Sequence, residues 1–428
     1  MKEDFLHYIW RFQKFNTALM TTTQGKEIQI LSVGQYNQHA GPDFLDARIK
    51  IGDTLWAGHV EIHVKSSEWM AHCHHKDPAY DNVILHVVLN DDQKIFRTSG
   101  SIISTFSLKN RIFSNIQSQY LKLLNNRHWI PCQHQFHQVD PIKKKIWYDR
   151  LMIDRLEQKT RQINTFLKSN QDDWEKSFFH VLANNFGLVI NKLPFELLAQ
   201  SLDLKIIAKH RDNEMQIAAF IFGQAGLLET DFKDEYPLLL KKEYQFLKQK
   251  YQLIPIKKAS WKFLRLRPQN FPTIRLAQFA KLLFQETHLF SRMLSAESIN
   301  DIEKIFSIQL PAYWETHFVF DKISKTRKKH LGKSTIRLIV INTIVPFLFL
   351  YGKLKGLDTY QEKALHLLET LKPEANSIIR QWEQLGETTK TAYDTQALLQ
   401  LKNEYCQRKR CLNCSIGNAI LNQTEMAR

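Results

Sequence analysis

Near residue 110 the hydrophobic period of the chain changes from two to between three and four, and it does not change back. Side chains alternate across a strand and recur every ~3.6 residues on a helix, so the chain is limited to a sheet-bearing head and a helical body. In the head, Phe5, Tyr8, Ile9, Phe12 and Phe15 stand three and four apart and predict an amphipathic helix. Residues 27–33 are short and β-branched, residues 44–51 alternate up to a Gly52-Asp53 turn, and residues 55–65 return from it as the second arm of a hairpin. A polar, His-rich stretch over 66–81 has room for a short helix or a long loop. Residues 83–89 are almost continuously apolar, as in a strand covered on both faces, and 94–99 and 102–108 predict two more strands. Segments 142–168, 174–190, 214–228, 236–250, 274–285, 336–350 and 359–385 read as helices, the last broken at Pro373. The expected fold class is α+β and mostly α: an α/β domain over 1–115, then an all-helical region over 116–428.

Charge divides at the same place. Of the net +16, none lies in residues 1–115, where 12 Lys and Arg meet 12 Asp and Glu; residues 116–428 hold 47 against 31. Eight of the 17 histidines fall in the neutral head. A 428-residue chain with 43% hydrophobic residues and only 14 Gly and 12 Pro is neither disordered nor fibrous, and suffices for two or three cored domains. The longest apolar run, 338–351, contains Asn342, Thr343 and Pro346 and is shorter than the ~20 residues of a membrane span, so a buried, kinked core helix is expected. Met1-Lys2-Glu3-Asp4 opens without the basic start of a secretory signal, and five cysteines are an odd number for a disulfide framework. A cytoplasmic protein with free thiols is expected.

Along the 55–65 strand, Val60, Ile62 and Val64 face one layer and His59, Glu61, His63 and Lys65 the other. A row of four ionisable groups is costly to bury unless it holds a metal, pairs internally or opens into a cleft. Hairpin pairing about Gly52-Asp53 brings Asp43 near Glu61, and two carboxylates so placed suit Mg²⁺ or Mn²⁺. A salt-bridged network on a half-exposed sheet face is the alternative. His72, His74 and His75 next to Glu61 and His63 would make a softer site for Zn²⁺ or Mn²⁺, as in a hydrolase of small substrates, or are surface histidines of a polar loop. His86 is expected to be a satisfied core residue. At the far end, Cys406-x4-Cys411-x2-Cys414 is one thiolate short of a tetrahedral site, and Cys132 is the natural fourth. Basic residues cluster at Lys143-Lys144-Lys145, at Lys257, Lys258, Lys262, Arg265, Arg267 and Arg275, and over 322–333 with Lys325, Arg327, Lys328 and Lys329. Trp261, Phe263 and Phe271 interleave the second cluster, as on a nucleic-acid surface or in a core. The expected partner is nucleic acid, DNA or RNA, ahead of an acidic protein or a membrane surface.

The order helix, strand, a Pro-Asp opening the second strand, Glu-x-His on the third, a connection and a buried fourth strand resembles the PD-(D/E)XK nuclease superfamily. The resemblance implies that Asp43 and Glu61, helped by the Ile62 carbonyl, hold the metal. His63 stands where lysine is usual and would position or deprotonate the attacking water. Lys65 would supply positive charge instead, and Glu27 an additional metal contact. Several nucleases of that superfamily carry a 4Fe–4S cluster on one distant cysteine and three near the C-terminus, a loose parallel to Cys132, Cys406, Cys411 and Cys414; zinc is the other candidate. The longer strings AGPDFLDARI, GHVEIHVKSSEW, DPAYDNVILHVV, LRPQNFPTIRLAQ and CLNCSIG resemble a bacterial family known only as a domain of unknown function. The implied function is a metal-dependent nuclease or nucleic-acid processing protein, with an inactive nucleic-acid-binding scaffold and a zinc- or manganese-dependent small-substrate hydrolase as alternatives.

Overall fold

A computed structural model describes residues 2–37 and 39–422. The chain is a mixed α+β protein with an N-terminal curled sheet and a large helical region. Its contacts gather into two compact units, residues 1–147 together with 401–428, and residues 148–400. The change of period at 110–115 falls inside the first unit, because a further helix and the terminal cysteine segment fold with the sheet.

The first unit starts with helix α1, Glu3–Arg11, which buries Phe5, Leu6, Ile9 and Trp10 as its three–four spacing demands. Strands β1 (Ile28–Ser32), β2 (Gln35–Tyr36), β3 (Phe44–Ile51), β4 (Thr54–Lys65), β5 (Val83–Asn90) and β6 (Thr105–Ser107) form one sheet in the order β1-β3-β4-β5-β6, with β2 also on β3. The β3–β4 hairpin is antiparallel, with Ile51 opposite Thr54 and Phe44 opposite Val60. Strand β5 lies parallel to β4, with Glu61 opposite His86, so residues 66–82 form a crossover. The crossover holds helix α2, Glu68–Ala71, and two short 3₁₀ turns. The nearly continuous apolar run of β5 is buried from Val83 to Val88, as expected of a strand covered on both faces. Residues 94–102 give an isolated bridge, Phe96 with Ile102, in place of a strand pair, and only Thr105–Ser107 joins the sheet. Helix α3, Ser114–Asn125, returns over α1, where Tyr120 stacks on Phe5 at 4.5 Å between ring centroids.

The second unit is helical except for a two-stranded hairpin, His317–Val319 with Lys322–Ile323, too short to leave a periodic pattern. This corrects the expectation of an all-helical region. The predicted break at Pro373 separates helices Asp358–Thr370 and Ser377–Gln384. The apolar run lies in one helix, Lys333–Lys355, long and apolar enough to cross a membrane; 78% of its apolar window is buried within the protein. Its middle, Val340–Ile344, is a π-helical turn. Pro346 has no N–H to give the carbonyl of Asn342. That carbonyl takes the side-chain amide of Asn185 instead (3.3 Å), and the Ile341 carbonyl takes the Lys159 ammonium (3.2 Å).

Candidate metal centre

The hairpin register puts Asp43 across from Glu61, and the backbone locks the pair. The Asp43 N–H donates to Glu61 Oε2 at 3.1 Å, and the Ile62 N–H donates to Asp43 Oδ2 at 2.9 Å. A β-bulge between Phe44 and Ala47, with Asp46 at φ +57°, turns the start of β3 so that this exchange can form. The other Glu61 oxygen, Oε1, lies 3.7 Å from His63 Nε2 and 3.4 Å from His74 Nε2.

The crossover supplies two of the imidazoles. Its entry is fixed by Asp92, which accepts from Ser66 Oγ and Ser67 N–H, and by Glu68, which accepts from the Val64 and Lys65 amides. Trp69 is fully buried and anchors it from below, its indole N–H on the Phe96 carbonyl. Cys73, at φ +61°, then turns the chain through the left-handed region between His72 and His74. Both imidazoles come to His63: donor atoms of His63, His72 and His74 lie within 4.8 Å of one another, as do those of Glu3, His7 and Asp43. His63 is fully buried on the sheet and His72 is exposed, so the cluster has a buried floor and an open rim. His86 is buried with its Nε2 2.8 Å from His63 Nδ1, which points His63 Nε2 at His72 Nδ1 (3.2 Å) and at Glu61. His86 is thus an orienting residue, satisfied at one nitrogen only.

The electrostatics show how little this site suits bare side chains. Burial pushes the Glu61 carboxyl up to about 9, and the charge of Asp43 pushes the same way. Burial lowers His63 to about 3 and drives His86 well below its ordinary value; His74 is lowered by burial and by His72. His7 is the exception. Burial opposes its protonation, but hydrogen bonds and charge from Asp43, at 3.2 Å, and Glu3 raise it to about 9. His74 Nε2 is buried, has no hydrogen-bond partner, and faces a carboxylate oxygen. An orphaned imidazole nitrogen beside a buried carboxylate and two more imidazoles fits a divalent cation of the zinc or manganese kind.

Other expectations meet different outcomes. Lys65 is exposed, at the outer end of β4. Glu27 is exposed and sits beside Gly52, at the hairpin tip and the far end of β3 from Asp43, which removes it from the site. His75 stays outside the imidazole triad. Glu3, His7 and Tyr80 belong to the site and were not anticipated; Tyr80 stacks on His74 at 3.8 Å, and burial followed by the charges of Glu61 and Asp43 raises it to about 12. A signal for the first two existed in α1: His7 falls on the buried arc of an amphipathic helix, one turn from Glu3 on the same face.

The basic residues separate by burial. Lys257, Lys258, Lys262, Arg265, Arg267, Lys325, Arg327 and Lys328 are exposed. Arg275 is buried and bonds Asn270 (2.6 Å), Gln278 (3.1 Å) and Thr335 (3.1 Å), and Lys329 is buried on the carbonyls of Trp314 and Glu315. These two are corrected from surface cations to structural ones, since each spends its donors on groups inside the unit. Trp261 is likewise core, its indole N–H on the Ala225 carbonyl. Gln278 also bonds the carbonyls of Lys329 and His330, so helix Pro272–Gln285 holds the two basic segments together. Cys132, Cys406, Cys411 and Cys414 all fall in the first unit, each buried.

No curated protein and no solved structure matches the chain. Over residues 3–377 it matches the family described as a protein of unknown function, DUF2851, and it belongs to that family.

Proposed function

We propose that the chain is a divalent-metal-dependent hydrolase of phosphodiester bonds in nucleic acid, with its metal between Glu61 and the imidazoles of His63, His72 and His74 and with Asp43 at its edge. The observation that carries this reading is the place of Glu61 between two groups: its Oε2 takes the Asp43 N–H, while its Oε1 lies 3.7 Å from His63 Nε2 and 3.4 Å from His74 Nε2 at the open-rimmed imidazole cluster. The order of helix, antiparallel hairpin, crossover and parallel strand around them is also that of the PD-(D/E)XK core. When bound, the metal supplies Lewis acidity and a water ionisable near neutrality. The residues do the rest. His63, positioned by His86, gives a lone pair where lysine would give a charge. The Asp43 carboxylate is fixed through Oδ2, which takes the Ile62 amide and faces the His7 imidazole at 3.2 Å. The exposed cations of the second unit suit a polyanionic substrate.

The test is cleavage of plasmid and oligonucleotides by the full chain with Mg²⁺, Mn²⁺ and Zn²⁺. Asp43→Ala and Glu61→Ala are each expected to lower cleavage by ~10²-fold or more, the several kcal/mol that a catalytic metal contributes. Cleavage that survives both changes overturns the assignment, and nucleic-acid binding without cleavage under any metal leaves the scaffold reading. The three imidazoles favour a second reading, a zinc-dependent hydrolase of a small substrate. Stoichiometric zinc lost in His72→Ala and His74→Ala, with hydrolysis of small phosphodiesters and none of polynucleotides, would select it.

A further inference from the structure

Away from the imidazole cluster, four of the five cysteines are buried in the first unit and come from two separate stretches of the chain, one at Cys132 and one over 406–414. Cys132 lies on the turn after α3, where its carbonyl accepts from the Gln135 amide. Cys406 ends a π-helical turn, Leu401–Cys406, whose Lys402 ammonium bonds the Trp129 carbonyl and so ties the two segments together. Cys411 and Cys414 bracket a 3₁₀ turn, Cys411–Asn413, that leads into helix Ser415–Asn422. That helix wraps back tightly: a Cβ on Gly417 would stand 2.2 Å from the Cys411 carbonyl oxygen, so CLNCSIG needs its glycine for the turn to close.

All four thiols are buried and none is in a disulfide. Each is close enough to the others to feel them. Burial raises Cys132 first and the charges of Cys414 and Cys411 raise it further; Cys406 is raised by burial and by Cys414, Cys132 and Cys411. Beside them the buried indole N–H of Trp147 is directed at Cys414 and favours its thiolate. Such an N–H donor beside a sulfur is the kind of outer partner that supports a metal-bound thiolate. Four buried, unbridged sulfurs in reach of one another are a ready set of soft ligands for a metal that binds them as thiolates.

We propose that Cys132, Cys406, Cys411 and Cys414 ligate a metal centre that staples the C-terminal segment to the turn after α3. The shared chemistry is tetrathiolate ligation, available to one zinc ion or to an iron–sulfur cluster. Thiolates on a single zinc stand ~3.8 Å apart. Among the described residues, the groups of three donors mutually within 4.8 Å number two, and neither contains a cysteine. No three of these sulfurs, among the described residues, lie mutually within 4.8 Å, so a single zinc would have to draw them closer.

The full chain, purified without oxygen, is expected to be brown, to absorb near ~400 nm as thiolate-ligated iron–sulfur centres do, and to carry iron and acid-labile sulfide. Colourless protein with one zinc per chain, released by thiol reagents, also supports the centre and assigns its metal. In either case Cys411→Ser and Cys414→Ser should lose that metal while Cys73→Ser, at an exposed thiol, keeps it. Glu61→Ala and His72→Ala should also keep it, which separates this centre from the one proposed in the sheet. If the cysteine variants do not fold, the wild-type metal content and the Cys73→Ser and His72→Ala controls still decide. Wild-type protein with neither metal, or metal unaffected by folded cysteine variants, overturns the proposal.

Discussion

Arg275 and Arg267 sit eight residues apart in one basic stretch, and composition gives no means of telling them apart. Arg275 spends its guanidinium on Asn270, Gln278 and Thr335, and burial lowers its pKa to about 10; Arg267 lies in solvent. Arg275→Ala is therefore expected to cost about 2–4 kcal/mol of stability by leaving buried acceptors unpaired. Arg267→Ala should leave stability within ~0.5 kcal/mol and lower affinity for an oligonucleotide, more at low salt than at high. Denaturant unfolding and a salt series of binding measurements check the two halves. The same contrast governs what a reader of the sequence can find in the candidate site. Asp43, Glu61 and His63 follow from hairpin arithmetic, because strand alternation and a two-residue turn are local rules. Glu3, His7 and Tyr80 reach the cluster only through the packing of α1 and the crossover on the sheet, which no local rule supplies.

At the scale of elements, the amphipathic helices and the β3–β4 hairpin were legible because each shows one face to a core over many residues. Of the strands expected at 94–99 and 102–108, the second shrinks to Thr105–Ser107 and the first does not form, since an edge segment of a few residues gains little from pairing and leaves a weak pattern. The helix Lys333–Lys355 was legible as buried, and its π turn follows from Pro346. What the sequence conceals is the cation that the turn takes in. Lys159 Nζ bonds the Ile341 carbonyl, Asn342 Oδ1 (3.0 Å) and Gln396 Oε1 (3.0 Å), and burial, with Arg155 adding its charge, lowers its pKa to about 7. Between about pH 7 and the ~10.4 of a solvated lysine, the unfolded chain holds this proton and the folded one does not. Stability accordingly rises with pH across that window, by up to ~1.4 kcal/mol per unit. Subtracting the pH profile of a Lys159→Met variant from that of the wild type should isolate this slope; a flat difference would contradict it.

For the whole molecule, the charge asymmetry of the sequence turns out not to mark the boundary between units. The first unit takes in residues 116–147 and 401–428, basic segments included. Helix Ser415–Asn422 packs on α3, and the Cys411–Asn413 turn touches α1. A chain ended at Gln400 should therefore keep the second unit and loosen the first. Hydrogen exchange over Ser114–Asn125 is expected to lose ~10²-fold or more of its protection while exchange in Trp174–Phe186 holds, and equal protection in both chains would refute the dependence. The discontinuity also sets an order of events during synthesis. At ~5–20 residues per second the ribosome needs tens of seconds to deliver residues 148–400, and through that time the first unit waits with α3 and the turn at Cys132 uncovered. In a protein built this way the domain that begins first is finished last, and a chaperone or an early partner would meet it open.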